Sequence, residues 1–144
     1  GDIFTPQDAR RMIEETGCDA IMAARGARGN PWLFRDIIDY LEKGILHEKP
    51  SLKDMTDMML RHAEMHIRYK GEYQGIREMR KHVAWYTAGY HGSARMRQAV
   101  NEVESYEALK QLLADWLAYS EGGIKAYEKP IDHDEKYSIN QGVK

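Results

Sequence analysis

The feature that most constrains the fold is a short apolar run that leads through glycines into the start of a helix, in residues 19–34. The run, residues 20–24, has the length of a buried strand. Gly26 permits positive φ or close backbone approach, and Asn30 followed by Pro31 fits the beginning of a helix. Such a connection leaves backbone N–H groups that can hold a phosphate. An ordinary strand–turn–helix connection without a ligand is the alternative, because a glycine-rich turn is weak evidence by itself.

Strand and helix patterns alternate through the first 44 residues. Extended segments are predicted at residues 1–4 and 18–24, and helices from Pro6 to about Thr16 and from Pro31 to Lys43. This βαβα order is typical of a parallel α/β sheet. Because two strands cannot form a parallel sheet with both faces covered, we expect residues 1–44 to be a piece of a larger domain.

The pattern becomes helical after a predicted linker at residues 45–50. Capping residues and apolar stripes predict four helices, which run from Ser51 to about Lys70, from Gly75 to Ala88, from Ser93, and from Ser105 to before Gly122. Short turns between them favour a compact antiparallel bundle over residues 51–122. Residues 123–144 are predicted to be an irregular tail. The chain is therefore expected to be mostly α.

Charge is distributed unevenly along the chain, whose formal net charge is −2. Between Arg61 and Arg97 there are eight basic and three acidic side chains. The apolar stripe of the second bundle helix places its cations on the flank or outside, where they could reach the phosphates of an RNA. The candidate RNA-binding residues are Arg77, Arg80, Lys81, Arg95 and Arg97. A solvated charged face is the alternative.

Aromatic rings near these cations have two interpretations. They could stack on RNA bases, or they could simply pack inside the bundle. The rings concerned are His82, Trp85, Tyr90 and His91.

The sequence offers no self-contained catalytic or metal site. His62 and His66 have the i, i+4 spacing that can bind a metal, but no third ligand is evident, so no metal is expected. No nucleophile with a base and no pair of buried carboxylates is recognisable. The single cysteine, Cys18, excludes an internal disulfide, and no apolar run approaches membrane-spanning length. These features predict a cytoplasmic protein.

Five segments, in order and with matching spacing, closely resemble the C-terminal part of bacterial tRNA-dihydrouridine synthases of the B-type branch. The resemblance spans about residues 1–120, and its Gly-Asn-Pro-Trp and Arg-Lys-His segments are the most specific. The segments are Gly-Asp-Ile at 1–3, Thr-Gly-Cys-Asp-Ala-Ile-Met at 16–22, Arg-Gly-Ala at 25–27, Gly-Asn-Pro-Trp-Leu-Phe at 29–34 and Arg-Glu-Met-Arg-Lys-His-Val-Ala-Trp-Tyr at 77–86.

This resemblance implies a two-part enzyme. A (β/α)8 barrel would bind FMN, and residues 1–44 would be its last βαβα fragment. Residues 51–122 would be the helical domain that helps to hold tRNA. The family's flavin, reduced by NADPH, gives hydride to C6 of a uridine while a cysteine acid protonates C5, and the product is 5,6-dihydrouridine.

The resemblance also assigns cofactor-binding residues. In such barrels the flavin phosphate lies at the loops after the last two strands. The family's motifs at these loops map onto Gly1 and Asp2 and onto Ala24 and Arg25, where Ala24 replaces the usual glycine. The catalytic cysteine and the flavin-contacting lysine belong to earlier strands, so this chain is expected to lack catalytic residues and to be inactive alone.

Further expectations concern the chain in isolation. It should not hold FMN firmly, and its unpaired barrel elements should favour self-association. Two other functions remain open: a stand-alone helical module that binds RNA or protein without catalysis, and a bundle that only supports the barrel.

Overall fold

The computed structural model describes residues 2–121, and all regular structure within them is helical. The chain divides into two compact units with a boundary between Lys49 and Pro50. No helix in the described part combines the length and the apolar character needed to cross a membrane. The elements, in order, are α1 (Pro6–Thr16), a 3₁₀ turn (Arg25–Ala27), α2 (Leu33–Lys43), α3 (Leu52–Lys70), α4 (Glu72–Tyr86), α5 (Ser93–Val100) and α6 (Tyr106–Glu121).

Local capping determines where α1 and α3 begin. The Thr5 hydroxyl accepts a hydrogen bond from the Asp8 N–H at 3.1 Å, and the Asp8 carboxylate accepts one from the Thr5 N–H at 3.0 Å. Ser51 and Asp54 form the same reciprocal pair at the start of α3. This arrangement satisfies N–H groups that have no partner within the helix. The predicted bounds of α1 and the predicted start of α3 are therefore confirmed.

The two predicted strands do not form in the described residues. Residues 2–4 and 18–23 have no regular structure, and Met22, in the middle of the apolar run, is 79% exposed. A strand requires a neighbour to pair its N–H and C=O groups, and no neighbouring strand lies within residues 2–121. The prediction of a βαβα fragment of a (β/α)8 barrel is thus wrong for this structure, which keeps the helices without the sheet.

The first unit is built around a small apolar core. Arg10 connects α1 to α2 by donating a hydrogen bond to the Tyr40 carbonyl at 2.8 Å. Gly26 is buried in the 3₁₀ turn, and a Cβ built there would lie 1.9 Å from the Ile3 carbonyl oxygen. Only glycine therefore permits this turn to lie against the first residues. The buried core residues are Ile3, Ala9, Leu33 and Ile37, with Met12, Ile21, Ala23 and Leu41 packed against them.

The second unit contains the four predicted helices, α3 to α6. Helix α3 packs mainly on α4 and also on α6, while α5 contacts both α4 and α6. A single residue, Gly71 with φ 78°, joins α3 to α4. The fully buried side chains of its core include Met59, Ile76, Met79, Val83, Val100, Leu109 and Leu113.

A glycine determines how closely α3 and α4 approach. A Cβ built at Gly75 would lie 2.9 Å from the His66 carbonyl carbon and 2.9 Å from the Ile67 nitrogen. Backbone atoms cannot move aside as a flexible side chain can, so the first turn of α4 is in direct contact with the backbone of α3.

Helix α6 is tied to the α3–α4 pair through Tyr106. The Tyr106 N–H donates to the Glu72 carboxylate at 2.8 Å, and its hydroxyl donates to the Glu64 carboxylate at 2.7 Å. Burial and the adjacent Glu64 raise the pKa of Tyr106 to about 12. The phenol therefore stays protonated and acts as a donor at neutral pH.

We expect Gly75→Ala to lower the free energy of unfolding of the helical unit by about 2 kcal/mol, since the added methyl overpacks a backbone contact. At an ordinary helical position the same change would stabilise by about 1 kcal/mol. Urea unfolding followed by circular dichroism measures the difference. Ala114→Gly on the exposed side of α6 is the control for helix propensity. A more stable Gly75→Ala protein would contradict the close approach.

Candidate functional site

The five predicted RNA-binding cations occupy three different environments on α4 and α5, two helices that contact each other. The Arg80 guanidinium donates hydrogen bonds to a backbone carbonyl. The Arg77 guanidinium contacts an aromatic ring and a carboxylate. The other three side chains form no ion pair within residues 2–121. Some of these cations therefore stabilise the fold, and others are available to bind a phosphate.

Arg80 connects α4 to the turn before α6. Its Nε and Nη2 atoms both donate to the Val103 carbonyl oxygen, at 3.0 and 2.6 Å. The side chain is partly buried, and Val103 is buried. Arg80 therefore has a structural role that sequence reasoning missed, because its acceptor is a main-chain carbonyl 23 residues away.

Arg77 is partly neutralised and partly held in place. Its guanidinium carbon lies 3.7 Å from the centre of the Tyr73 ring, which provides a cation–π contact. Its Nη2 atom lies 3.5 Å from the Glu104 carboxylate. The exposed face of the guanidinium remains accessible at the surface, since the side chain is 36% exposed.

Lys81, Arg95 and Arg97 are the least compensated members of the set. Lys81 and Arg95 are exposed, and Arg97 is partly exposed. None of the three forms an ion pair within residues 2–121. Lys81 lies one helical turn after Arg77, so the two share a face of α4.

Arg95 also lines a cavity of about 340 Å³ between α5 and α6. The cavity combines apolar walls from Met96 and Leu112 with polar groups from Asp115 and Tyr119. Arg95 therefore belongs both to the set of predicted RNA-binding cations and to the lining of this cavity.

The aromatic rings near the cations contact one another. His91 stacks on Tyr119 with ring centres 5.6 Å apart and planes 16° apart. Tyr90 meets Trp116 edge-on at 6.2 Å, and the Trp116 indole N–H donates to the His91 carbonyl at 3.3 Å. These contacts agree with the packing alternative, and base stacking stays a prediction.

Three histidines meet where α3 and α4 pack together. His62 and His66, one turn apart on α3, face His82 of α4, with ring centres 4.6 and 5.2 Å from it. One nitrogen from each ring lies within 4.8 Å of the other two. The sequence indicated only the pair on α3, and the structure supplies His82 as the third imidazole.

The three histidines are partly buried, and burial lowers the pKa of two of them, His62 and His82. Burial, followed by the nearby His62 and His66, lowers the pKa of His82 to about 4. Burial and His66 also lower the pKa of His62. Adjacent to them, hydrogen bonds from Lys70 and Gln74 lower the pKa of Glu78 to about 2. At neutral pH the His62 and His82 imidazoles are therefore neutral, and they lie near an ionised Glu78 carboxylate.

The predicted cofactor-binding residues lie close together in the first unit, except Gly1, which lies outside the described residues. Arg25 forms an ion pair with Asp2, and both are exposed. Ala24 is exposed and immediately precedes the 3₁₀ turn, with φ −104° and ψ −76°. The close approach at Gly26 explains this proximity, because it holds the turn against residues 3 and 4.

Comparisons with known proteins agree on one family. The model of the family described as "Dihydrouridine synthase (Dus)" matches residues 1–120. The tRNA-dihydrouridine synthase B of Xanthomonas campestris is 40% identical over 116 residues, covering 81% of this chain and 35% of the relative. That of Pseudomonas aeruginosa is 41% identical over 109 residues, covering 75% and 32%. The chain thus spans about a third of the length of these curated relatives.

We expect Arg80→Ala to lower the free energy of unfolding by about 1–2 kcal/mol, because the Val103 carbonyl loses both of its donors. Lys81→Ala, which removes the adjacent exposed cation, should change it by less than about 0.5 kcal/mol. Urea unfolding of both variants measures the contrast. Equal stabilities would contradict the structural role of Arg80.

Proposed function

Because this chain belongs to the dihydrouridine synthase family, we propose that it forms the C-terminal part of an FMN-dependent tRNA-dihydrouridine synthase. In this proposal residues 51–122 position tRNA, and the first unit contributes to the flavin site. The intact enzyme would reduce uridine to 5,6-dihydrouridine in tRNA with NADPH as the reductant, in the cytoplasm. The relatives' names, tRNA-dihydrouridine synthase B, support this assignment.

The single observation that carries the tRNA role is the group of uncompensated cations on α4 and α5. Lys81, Arg95 and Arg97 have no carboxylate partner within residues 2–121, so binding a phosphate costs them no existing ion pair. Neutralising backbone phosphates releases condensed counterions, which supplies much of the free energy of nucleic-acid binding. Such contacts would fix the position of a tRNA without reading its sequence.

The remaining two predicted cations fit the proposal differently. Arg77 can present its exposed side to a phosphate while the Tyr73 ring keeps the guanidinium in place. The Arg80 Nε and Nη2 atoms both donate to the Val103 carbonyl. We therefore propose that Arg80 orients α4 relative to the turn between α5 and α6. This division makes Arg80 a poor probe of RNA contact, because its removal also changes the fold.

The first unit fits part of an FMN phosphate site. Arg25 supplies a cation that a phosphate prefers, and Gly26 keeps the turn against residues 3 and 4. The Asp2 carboxylate balances that cation, so the pair alone is nearly neutral. In the proposal, further contacts to the flavin come from other parts of the enzyme, and this chain alone does not hold FMN firmly. When bound, the flavin would supply the hydride for uridine reduction.

An exposed apolar face on α2 supports the view that the first unit packs against more protein. Phe34 is 50% exposed and Ile38 is 54% exposed, and their i, i+4 spacing places them on one face. Met22, in the segment without regular structure before the 3₁₀ turn, is also exposed. In the intact enzyme other parts of the protein would cover these side chains, and in this chain alone they favour self-association.

The test of the tRNA role compares two triple variants of the chain, each of which loses three positive charges from the helical unit. Lys81→Ala, Arg95→Ala and Arg97→Ala together should weaken tRNA binding by about tenfold or more. They should also reduce the slope of log affinity against log salt by about two to three. Fluorescence anisotropy with an unmodified tRNA transcript at several salt concentrations measures both quantities.

The control triple variant removes three cations from α3 and α6, through Arg61→Ala, Arg68→Ala and Lys110→Ala. It should retain most of the affinity, since its charge change is the same but its surface is different. Equal losses in the two variants would indicate a general charge effect, and no loss in either would favour a bundle that only supports the rest of the enzyme. Either result would overturn the assigned surface.

A further inference from the structure

We propose that His62, His66 and His82 form a binding site for a divalent transition-metal ion of the Zn²⁺ class. The site lies in the helical unit and shares no residue with the cations assigned to tRNA. It uses two ligands from α3 and one from α4, and it is independent of the proposed catalytic function.

The spacing of the ring nitrogens fits such an ion. Tetrahedral Zn²⁺ with Zn–N bonds of about 2.0–2.1 Å holds its ligand nitrogens about 3.3 Å apart. The Nε2 atoms of His62 and His66 are 3.1 Å apart. All three ligand nitrogens lie within 4.8 Å of one another, so binding requires the most distant pair to move closer together.

The backbone holds the three ligands on rigid elements. Two of them are one turn apart on α3, which fixes their separation. The third is carried by α4, whose contact with α3 at Gly75 leaves little freedom in the distance between the helices. Ligands on packed helices lose little conformational entropy when they bind an ion, which favours affinity.

The outer nitrogens also have suitable neighbours. The Nδ1 atom of His66 is buried and makes no hydrogen bond within the described residues, yet it lies 3.6 Å from the Glu78 carboxylate. The Nδ1 atom of His62 lies 3.5 Å from the Tyr86 hydroxyl. Metal-binding histidines usually donate their other N–H to a carboxylate or another oxygen, which orients the ring and increases its basicity.

Three imidazoles in contact cannot satisfy all of one another's hydrogen-bonding atoms, and the buried Nδ1 of His66 is left without a hydrogen bond in the part of the chain that the structure describes. Each neutral ring has one donor and one acceptor, and the short His62–His66 contact uses only one of each between two rings. A cation between the inward nitrogens would satisfy all three acceptors at once. Three protein ligands would leave the fourth position of a tetrahedral ion for water.

The test uses the full chain after treatment with a chelator. Calorimetric titration with ZnCl₂ should give one strong site per chain, and Co²⁺ should produce the visible absorption of a tetrahedral complex. His82→Ala should weaken Zn²⁺ binding by more than about 100-fold, since loss of a ligand exceeds the usual 10–100-fold effect of outer partners. The matched control is His91→Ala, which removes an imidazole stacked on Tyr119 outside the cluster.

Two further variants keep the result interpretable. His82→Phe retains a ring of similar shape but cannot bind an ion, so it serves if His82→Ala fails to fold. Glu78→Gln should weaken binding by about tenfold through His66. Zn²⁺ should raise the Tm of the parent and of His91→Ala, but not that of His82→Phe. Absence of Zn²⁺ binding, or equal affinity in His82→Phe and His91→Ala, would overturn the proposal.

Discussion

The helical unit depends on the direct contact between the backbones of α3 and α4 at Gly75. A side chain at this position would lie 2.9 Å from main-chain atoms of His66 and Ile67, so the two helices approach as closely as glycine permits. On these closely packed helices the His82 ring of α4 lies 4.6 and 5.2 Å from the rings of His62 and His66 on α3. This close contact between α3 and α4 brings together the two helices that carry the histidine cluster.

The first unit illustrates how far helices can form without the sheet that their sequence pattern implies. Capping at Thr5 and the left-handed residue Gly17 are local interactions, and α1 forms between them. The strand-like residues 20–24 have no ladder partner in the described part of the chain, so they form no strand. Phe34 and Ile38 leave about half of their surface exposed on one face of α2.

Sequence reasoning predicted features that arise from local interactions and missed those that depend on distant residues. Capping residues and glycines correctly predicted both ends of α1, the start of α3 and the end of α2. The predicted starts of α2 at Pro31 and of α4 at Gly75 were wrong, because α2 begins at Leu33 without a side-chain cap and α4 begins at Glu72. Arg80 could not be recognised as structural, because Val103 is brought to it only by the turn before α6. The sequence does contain a pattern that could have identified His82. His62 lies nine residues before Gly71 and His82 lies eleven residues after it. A one-residue turn at Gly71 therefore brings the two histidines to similar heights on neighbouring antiparallel helices.

A chimaera tests the central claim most directly, namely that this chain acts as the C-terminal part of a tRNA-dihydrouridine synthase. The matching C-terminal segment of the Pseudomonas aeruginosa relative would be replaced by this chain and expressed in bacteria that lack their own dihydrouridine synthases. Mass spectrometry of digested tRNA then measures the dihydrouridine content. The account predicts that dihydrouridine is restored. A chimaera that folds and retains flavin but forms no dihydrouridine would contradict it.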